Sequence, residues 1–185
     1  MTQTTTILTD RFDDALVYAS RIYREQIRKG SGLPCVSHLL GVVSIALENG
    51  ANEDQTITAL LHDTVEDQGG ADRLVDIRER YGDRVAEIAA HCTDSEVEPK
   101  PSWRERKEAY LVGLSKKTAA SLEVSIADKT HNAGAIIADL HLYGEQVWPD
   151  SPVGRMAAFG ITENCHALSP NLLRERQVTV RLSRK

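Results

Sequence analysis

The sequence has few features of a secreted, disulfide-bonded or membrane-spanning protein. Its three cysteines, Cys35, Cys92 and Cys165, are scattered and odd in number, so no disulfide framework is expected. No run of about 18 apolar residues occurs, which argues against a membrane span. The first ten residues are polar and rich in Thr, without the basic start and apolar centre of a signal peptide. These absences predict a cytoplasmic protein with reduced thiols and no membrane partner.

Aromatic residues and strand-forming runs are also scarce. Phe, Trp and Tyr make up 5% of the chain, and alternating runs of Val, Ile and Thr are short. Apolar residues recur instead at helical spacing, as in Phe12, Leu16 and Ala19. With 41% hydrophobic and 26% charged residues among 185, the chain can bury most of its apolar surface. The sequence therefore predicts an all-α protein.

Capping residues and glycines divide this helical pattern into segments. Seven helices are predicted, and the residues at which they start and stop are as follows: Asp10 to Gly30, Ser37 to Asn49-Gly50, Asn52 to Gly69-Gly70, Ala71 to Gly82, a fifth helix around 85–89, Ser102 to Leu114, and Lys116 to Leu142. The last helix is predicted to be interrupted around Gly134, and residues 94–102 are predicted to form a loop.

The charge is unevenly distributed along the chain. The net charge of −5 argues against nucleic acid as a partner. Residues 1–148 carry 16 basic and 24 acidic side chains, whereas residues 149–185 carry 6 basic and 3 acidic ones. We therefore expect one domain over residues 1–148, followed by an atypical tail over residues 149–185.

The stretch LLHDTVED, residues 60–67, changes abruptly from apolar to polar. On a continuous helix, His62 would share a face with Glu66, and Asp63 with Asp67. An imidazole beside carboxylates suits Mn²⁺, Fe²⁺ or Zn²⁺. An exposed acidic helix end with one hydrogen-bonded histidine explains the stretch equally well, so it is not decisive alone.

Two distant positions complete a pattern with this stretch. His38 follows Pro34 at the start of the second predicted helix, and Asp128 lies in the polar cluster that follows the run 122–127. Taken singly, they read as a capping or core histidine and a surface carboxylate. In chain order, however, they give His, then His62-Asp63, then Asp.

With this order the chain resembles the HD-domain metal-dependent phosphohydrolases. Within that superfamily it is similar to the hydrolase domain of RelA/SpoT-type enzymes and to the stand-alone small alarmone hydrolases. The resemblance covers about residues 12–148. It is carried by Arg28-Lys29 ahead of Pro34-x-x-x-His38, the H-D-x-x-E-D pattern His62 to Asp67, Tyr81-Gly82-Asp83-Arg84-Val85, Trp103-Arg104-Glu105-Arg106-Lys107, and Ala127-Asp128-Lys129-Thr130-His131-Asn132.

The resemblance implies an HD-domain helical bundle with one metal site. His38, His62, Asp63 and Asp128 would bind Mn²⁺ or another divalent transition metal. His131 belongs to the last motif but is expected to face away from the metal, as a core or surface residue.

The resemblance also implies a substrate and a reaction. Glu66 and Asp67 would position or deprotonate the attacking water. Arg28 and Lys29, which without the family pattern would read as an ordinary solvated helix end, would hold phosphate or the guanine nucleotide. Asn132 would contact the ribose or its 3′ substituent. The reaction would convert (p)ppGpp to GDP or GTP and pyrophosphate.

Several positions depart from the family pattern and keep two alternatives open. Tyr23 stands in place of His, Cys35 in place of Tyr, Thr130 in place of Leu, and Gly134 in place of an Arg. These changes leave the metal set intact and weaken the prediction of nucleotide binding. The alternatives are an HD phosphohydrolase for another nucleotide, and a non-catalytic nucleotide-binding module.

The resemblance stops after Trp148. The family continues with a W-x-R-F segment and a helix containing W-Y-Y, and suitable codons for residues 148–168 encode both when read from the third base. One hypothesis is that a single-base deletion near Trp148 has put residues 149–185 out of frame. The other is a divergent native tail. The sequence leaves the oligomeric state open.

Overall fold

The computed structural model describes residues 6–28, 32–93, 105, 112–113 and 117–144. Regular structure in these ranges is helical, and the only strand-like pairing among them is an isolated bridge between Ile27 and Pro34. The prediction of an all-α fold is confirmed. The helices are α1 (Asp10–Ile22), α2 (Cys35–Glu48), α3 (Glu53–Leu61), α4 (Thr64–Asp67), α5 (Gly70–Tyr81), α6 (Asp83–Cys92) and α7 (Ala119–Tyr143).

The boundaries of α1 and the start of α2 differ from the predicted ones. Thr9, not Asp10, caps α1, because its side chain accepts a hydrogen bond from the Arg11 amide. The helix ends at Ile22, well before Gly30. Helix α2 begins before Ser37, whose hydroxyl donates to the Pro34 carbonyl at 2.8 Å. A hydrogen bond joins the two ends of the connection between α1 and α2, since the Cys35 amide donates to the Gln26 carbonyl at 2.8 Å.

The predicted third helix is wrong in its length, because it breaks at the His-Asp pair. Asn52 caps α3 as predicted and forms a capping box with Gln55. The helix ends at Leu61, and α4 starts only at Thr64. The Thr64 hydroxyl donates to the Leu61 carbonyl, and the His62 ring contacts the Ala59 carbonyl. These local side-chain bonds replace the next backbone bonds of a continuous helix.

Helix α7 is continuous where an interruption was predicted. It begins after Thr118, whose side chain accepts from the Ser121 amide, and runs for 25 residues through Gly134 to Tyr143. Several predictions lie outside the described residues: the loop over 94–102, the helix from Ser102 to Leu114 apart from 105 and 112–113, most of the Trp103 motif, Lys29, Cys165 and the tail 149–185.

Helix α3 forms the centre of the core. Every residue from Gln55 to Leu61 is buried, and the helix packs against α1, α2, α6 and α7. Burial of this apolar surface is the main stabilising contribution to the fold. Because α3 is enclosed on its sides, its carboxyl end fixes the position of the residues that follow it, His62 and Asp63.

Membrane spans and cysteines were considered in the sequence, and the described residues bear on both. No helix in the described ranges is long and apolar enough to span a bilayer. Cys35 and Cys92 are both free and half-buried in the described part of the chain.

Candidate metal centre

Three helices bring the predicted metal ligands to one place. His38 lies in the first turn of α2, His62 and Asp63 occupy the break between α3 and α4, and Asp128 lies in the middle of α7. Helices α2 and α3 pack against each other, and both pack against α7. Residues far apart in the sequence therefore meet at the junction of these three helices.

The ligand atoms of these side chains form a tight group. His38, His62 and Asp128 are 6%, 2% and 7% exposed, and each offers one atom within 4.8 Å of the other two. Asp128 Oδ1 is 3.2 Å from His38 Nε2 and 3.7 Å from His62 Nε2. Asp63 Oδ2 lies 3.2 Å from His62 Nε2 and 3.7 Å from His38 Nε2. Each carboxylate thus faces both imidazoles.

The hydrogen bond on the far side of His62 defines its tautomer. Nδ1 of His62 is 2.9 Å from the Ala59 carbonyl oxygen, which can only accept a proton. In the neutral ring Nε2 therefore carries the lone pair and faces the cluster. Nε2 is buried and makes no hydrogen bond within the described part of the chain. A buried nitrogen lone pair that faces carboxylate oxygens is costly unless it binds a cation.

These distances fit a divalent cation. Two ligand atoms about 2.1 Å from one ion and 90–110° apart lie about 3.0–3.4 Å from each other, and the two closest imidazole–carboxylate pairs are at 3.2 Å. Two nitrogens and two carboxylate oxygens form a donor set suited to Mn²⁺, Fe²⁺ or Zn²⁺. The cluster is therefore able to hold a transition-metal dication.

The electrostatics of the cluster are those of concentrated negative charge around two imidazoles. Burial lowers the pKa of His62, but Asp63 and Asp128 outweigh it and raise that pKa well above the usual value. Burial raises the pKa of Asp63, and the His62 imidazole brings it below the usual value. The same charge that favours a protonated imidazole favours a bound dication.

Asp128 is held from both sides by residues of its own helix. Lys129 Nζ donates to Oδ2 at 2.6 Å, and Asn132 Nδ2 donates to Oδ1 at 2.5 Å. Burial raises the pKa of Asp128, but the Lys129 ammonium, together with the two cluster imidazoles, holds it well below the usual range. The carboxylate is therefore ionised and oriented toward the imidazoles.

Asn132 also reaches the predicted phosphate-binding segment. Arg28 Nη2 donates to Asn132 Oδ1 at 2.7 Å, so both ends of the Asn132 amide contact protein groups. The arrangement places the Arg28 guanidinium one side chain away from Asp128. Lys29 lies outside the described residues.

Glu66 and Asp67 lie on the short helix α4, directly after the His-Asp pair. Glu66 is half-buried and Asp67 is exposed, and the Asp67 amide donates to the Asp63 carbonyl at 2.9 Å. Gln26 Nε2 donates to Asp67 Oδ2 at 3.1 Å. The break between α3 and α4 means that these carboxylates follow the cluster on a new helical turn, rather than on the α3 face predicted from the sequence.

His131 is a residue whose position the sequence did not predict. It was expected to face away from the metal. It is not in the group of potential ligands, but its Nδ1 lies 2.9 Å from Nδ1 of His38, and the ring centroids are 4.8 Å apart. Burial, with the charges of His38 and Arg28, lowers the pKa of His131. The missed signal was its helical spacing, because His131 follows Asp128 by three positions and shares its face.

Tyr23, which departs from the family pattern, is buried beside the site. It is 2% exposed, and its hydroxyl has no hydrogen-bond partner among the residues described. Burial, with the charges of Asp63 and Asp67, raises the pKa of Tyr23 far above its usual value. Tyr23 therefore stays a neutral donor at any physiological pH.

Comparison with known proteins begins with a family model. The model described as "HD domain" matches residues 15–144. The chain is 28% identical over 130 residues to a GTP pyrophosphokinase of Myxococcus xanthus, and 32% identical over 124 residues to one of Streptomyces coelicolor. Each match covers 66% of this chain, but only 17% and 14% of those proteins.

A third relative is named for hydrolysis, and so is a solved structure. The guanosine-3′,5′-bis(diphosphate) 3′-pyrophosphohydrolase of Escherichia coli O157:H7 is 28% identical over 128 residues, which are 66% of this chain and 17% of that protein. A structure described as a metazoan ortholog of SpoT that hydrolyzes ppGpp superposes with a TM-score of 0.72. That match has 25% identity and covers 90% of this chain and 92% of the other.

Proposed function

We propose that this chain, which belongs to the HD-domain family, is a metal-dependent hydrolase that removes the 3′-diphosphate of (p)ppGpp. The products are GDP or GTP and pyrophosphate. The observation that carries the proposal is that the buried side chains of His38, His62 and Asp128 meet the partly exposed carboxylate of Asp63 beside Arg28. Relatives named for this reaction support the choice of substrate.

We assign the four side chains of this cluster as ligands of Mn²⁺. A divalent cation supplies Lewis-acid stabilisation of negative charge and lowers the pKa of a water molecule in contact with it. Mn²⁺ is the member of the suitable series that the family resemblance favours. The coarser statement, that the cluster suits a divalent metal, depends only on the donor set and its distances.

The protein side chains then have separate tasks in the reaction. A water oxygen attacks the phosphorus atom bonded to the ribose 3′ oxygen, and the bond between that phosphorus and the 3′ oxygen breaks. Glu66 and Asp67 orient the water and accept its proton. Arg28 and Lys29 neutralise charge on the diphosphate. Asn132 contacts the ribose or its 3′ substituent, and the 3′ oxygen leaves as a hydroxyl after taking up a proton.

We further propose that residues 1–148 form the HD phosphohydrolase domain and that residues 149–185 are out of frame. The gene sequence tests the second point. An uninterrupted alternate frame that encodes the W-x-R-F and W-Y-Y segments supports it, whereas stop codons in that frame contradict it. A guanine nucleotide as substrate, the absence of a nucleic-acid partner and a cytoplasmic location stay predictions from the sequence.

The experiment is a hydrolysis assay with the purified chain, ppGpp and Mn²⁺, in which GDP and pyrophosphate are quantified. We expect equal amounts of both products. His62→Ala and Asp63→Ala should each abolish turnover, because each removes a ligand. His141→Ala is the matched control: His141 is exposed near the end of α7, and its loss should leave the rate unchanged.

Three outcomes would contradict the proposal. Full activity after complete removal of metal would exclude the metal-dependent reaction. Faster hydrolysis of a deoxynucleoside monophosphate or a dinucleotide 3′-phosphate would favour another nucleotide as substrate. Tight binding of ppGpp without turnover would favour a non-catalytic module.

A further inference from the structure

His131 contacts a proposed metal ligand without belonging to the ligand group. The two rings meet through their Nδ1 atoms at 2.9 Å, while His38 Nε2 faces the carboxylates of Asp63 and Asp128. We infer that His131 is a positioning residue: it accepts a hydrogen bond from His38 Nδ1–H and thereby fixes the tautomer and the ring orientation of His38.

The direction of this hydrogen bond follows from the role of His38. A histidine that binds a metal through Nε2 must carry its ring proton on Nδ1. Two facing Nδ1 atoms allow one proton between them, so His131 Nδ1 must be the acceptor and His131 must carry its proton on Nε2. His62 has the same arrangement, with the Ala59 carbonyl as acceptor. Both imidazoles of the cluster therefore have a dedicated acceptor behind them.

A glycine in α2 makes room for the His131 ring. A Cβ atom on Gly41 would lie 2.0 Å from His131 Cδ2 and 2.2 Å from Nε2. A glycine inside a helix lowers the stability of that helix relative to alanine, so the presence of Gly41 here needs a reason. The reason is that α7 can bring an imidazole against the backbone of α2 only where α2 has no side chain. His38, one turn before Gly41, is then within reach.

The inference rests on the proposed metal site but not on the substrate, so it can be tested by metal binding alone. The assay is titration of the metal-free full chain with Mn²⁺ in a calorimeter. His131→Leu keeps the volume and removes the acceptor, and we expect it to weaken Mn²⁺ affinity about 10–100-fold. His131→Asn places an oxygen at the position of Nδ1, and we expect it to restore most of the affinity. His141→Leu, on the exposed part of the same helix, should bind as the unmodified protein does.

The second arm tests the role of Gly41. Gly41→Ala should weaken Mn²⁺ affinity about as much as His131→Leu, because the new methyl group displaces the ring. In a His131→Ala background the methyl group has space, so Gly41→Ala should have no further effect on affinity. This non-additivity distinguishes a shared contact from two independent structural defects.

A spectroscopic readout identifies the proton itself. In the protein loaded with Zn²⁺, long-range proton–nitrogen NMR spectra should show His38 protonated on Nδ1 and His131 protonated on Nε2. Unchanged Mn²⁺ affinity in His131→Leu, no recovery in His131→Asn, or a proton on His131 Nδ1 would each overturn the inference. A chain that binds no divalent cation would overturn it together with the proposed function. Metal binding that follows the expected pattern without ppGpp turnover would overturn the proposed function alone.

Discussion

At the scale of single residues, the cluster is organised by side chains that are not themselves metal ligands. Asn132 is one of them, since its amide nitrogen donates to Asp128 and its oxygen accepts from Arg28. The proposed substrate-binding cation is thus connected to a proposed metal ligand by a single amide. The Asn132 amide has a second N–H, so it can donate to a ribose oxygen while it keeps both of these bonds.

The exchange of Arg28 for Gln tests the nucleotide-binding half of the proposal. A lost hydrogen bond to a charged phosphate costs about 2 kcal/mol, which corresponds to a KM for ppGpp raised about 30-fold. The melting temperature should change little, because Arg28 is half-buried at the edge of the fold. Steady-state kinetics at varied ppGpp concentration measure the change.

Arg24→Gln provides the control for this prediction. It removes the same charge from an exposed position a few residues earlier in the chain, and we expect its KM to equal that of the unmodified protein. If Arg28→Gln had an unchanged KM, Arg28 would not contact the nucleotide.

At the scale of helices, two glycines that look alike in the sequence have opposite roles. Gly41 and Gly134 both lie inside helices. A Cβ at position 41 would collide with His131, whereas a Cβ at position 134 would meet nothing within 4 Å. Periodicity marks both as weak points of a helix, but only the neighbouring helix shows which one is needed.

Gly134→Ala should therefore stabilise the protein. Alanine reduces the conformational freedom of the unfolded chain and fits the helical backbone, so we expect a gain of about 0.5–1 kcal/mol in the free energy of unfolding. Chemical denaturation monitored by circular dichroism would measure it. A loss of stability would mean that α7 is not continuous at this position, as the sequence had suggested.

The contact between the start of α1 and the start of α3 predicts a pH dependence. Glu53 Oε1 accepts from the Thr9 amide at 2.6 Å and from the Thr9 hydroxyl at 2.7 Å, and Oε2 accepts from Arg11 at 3.1 Å. Burial raises the pKa of Glu53, but these donors outweigh it and lower that pKa below its usual value.

A lowered pKa in the folded state stabilises the protein where Glu53 is ionised in both states. The contribution is therefore complete above the unfolded value of about 4.3 and is lost as the pH falls through the folded pKa. Glu53→Gln should lower the melting temperature by a few degrees at pH 7, and by less at pH 3. Glu25→Gln, at an exposed position, should behave as the unmodified protein at both. An equal difference at both values would contradict the assignment.

The sequence predicted the existence of the helices better than the junctions between them. Asn52 was recognised as a cap because capping is local chemistry. The break at His62-Asp63 was not predicted, since apolar periodicity continues through Val65 and the hydrogen bonds that stop the helix are made by buried side chains. The His38–His131 contact depends on how α2 and α7 cross, which no local pattern encodes.

At the scale of the whole molecule, the cluster joins side chains that are far apart in the sequence. His38, His62-Asp63 and Asp128 come from α2, the α3–α4 break and α7. An unfolded chain does not hold these groups together, so a cation that binds the cluster binds the folded state almost alone. Metal affinity and stability are then linked through mass action.

Mn²⁺ should therefore raise the melting temperature. At a free concentration 100 times the Kd, binding stabilises the folded state by about 2.7 kcal/mol, and each kcal/mol shifts the midpoint of a domain of this size by about 2–4 °C. We expect an increase of about 5–10 °C in a thermal scan, reversed by an excess of chelator. His62→Ala should lose the increase, while His141→Ala should retain it. An equal increase in His62→Ala would mean that Mn²⁺ stabilises the protein from another site, and the cluster would then not be the metal centre.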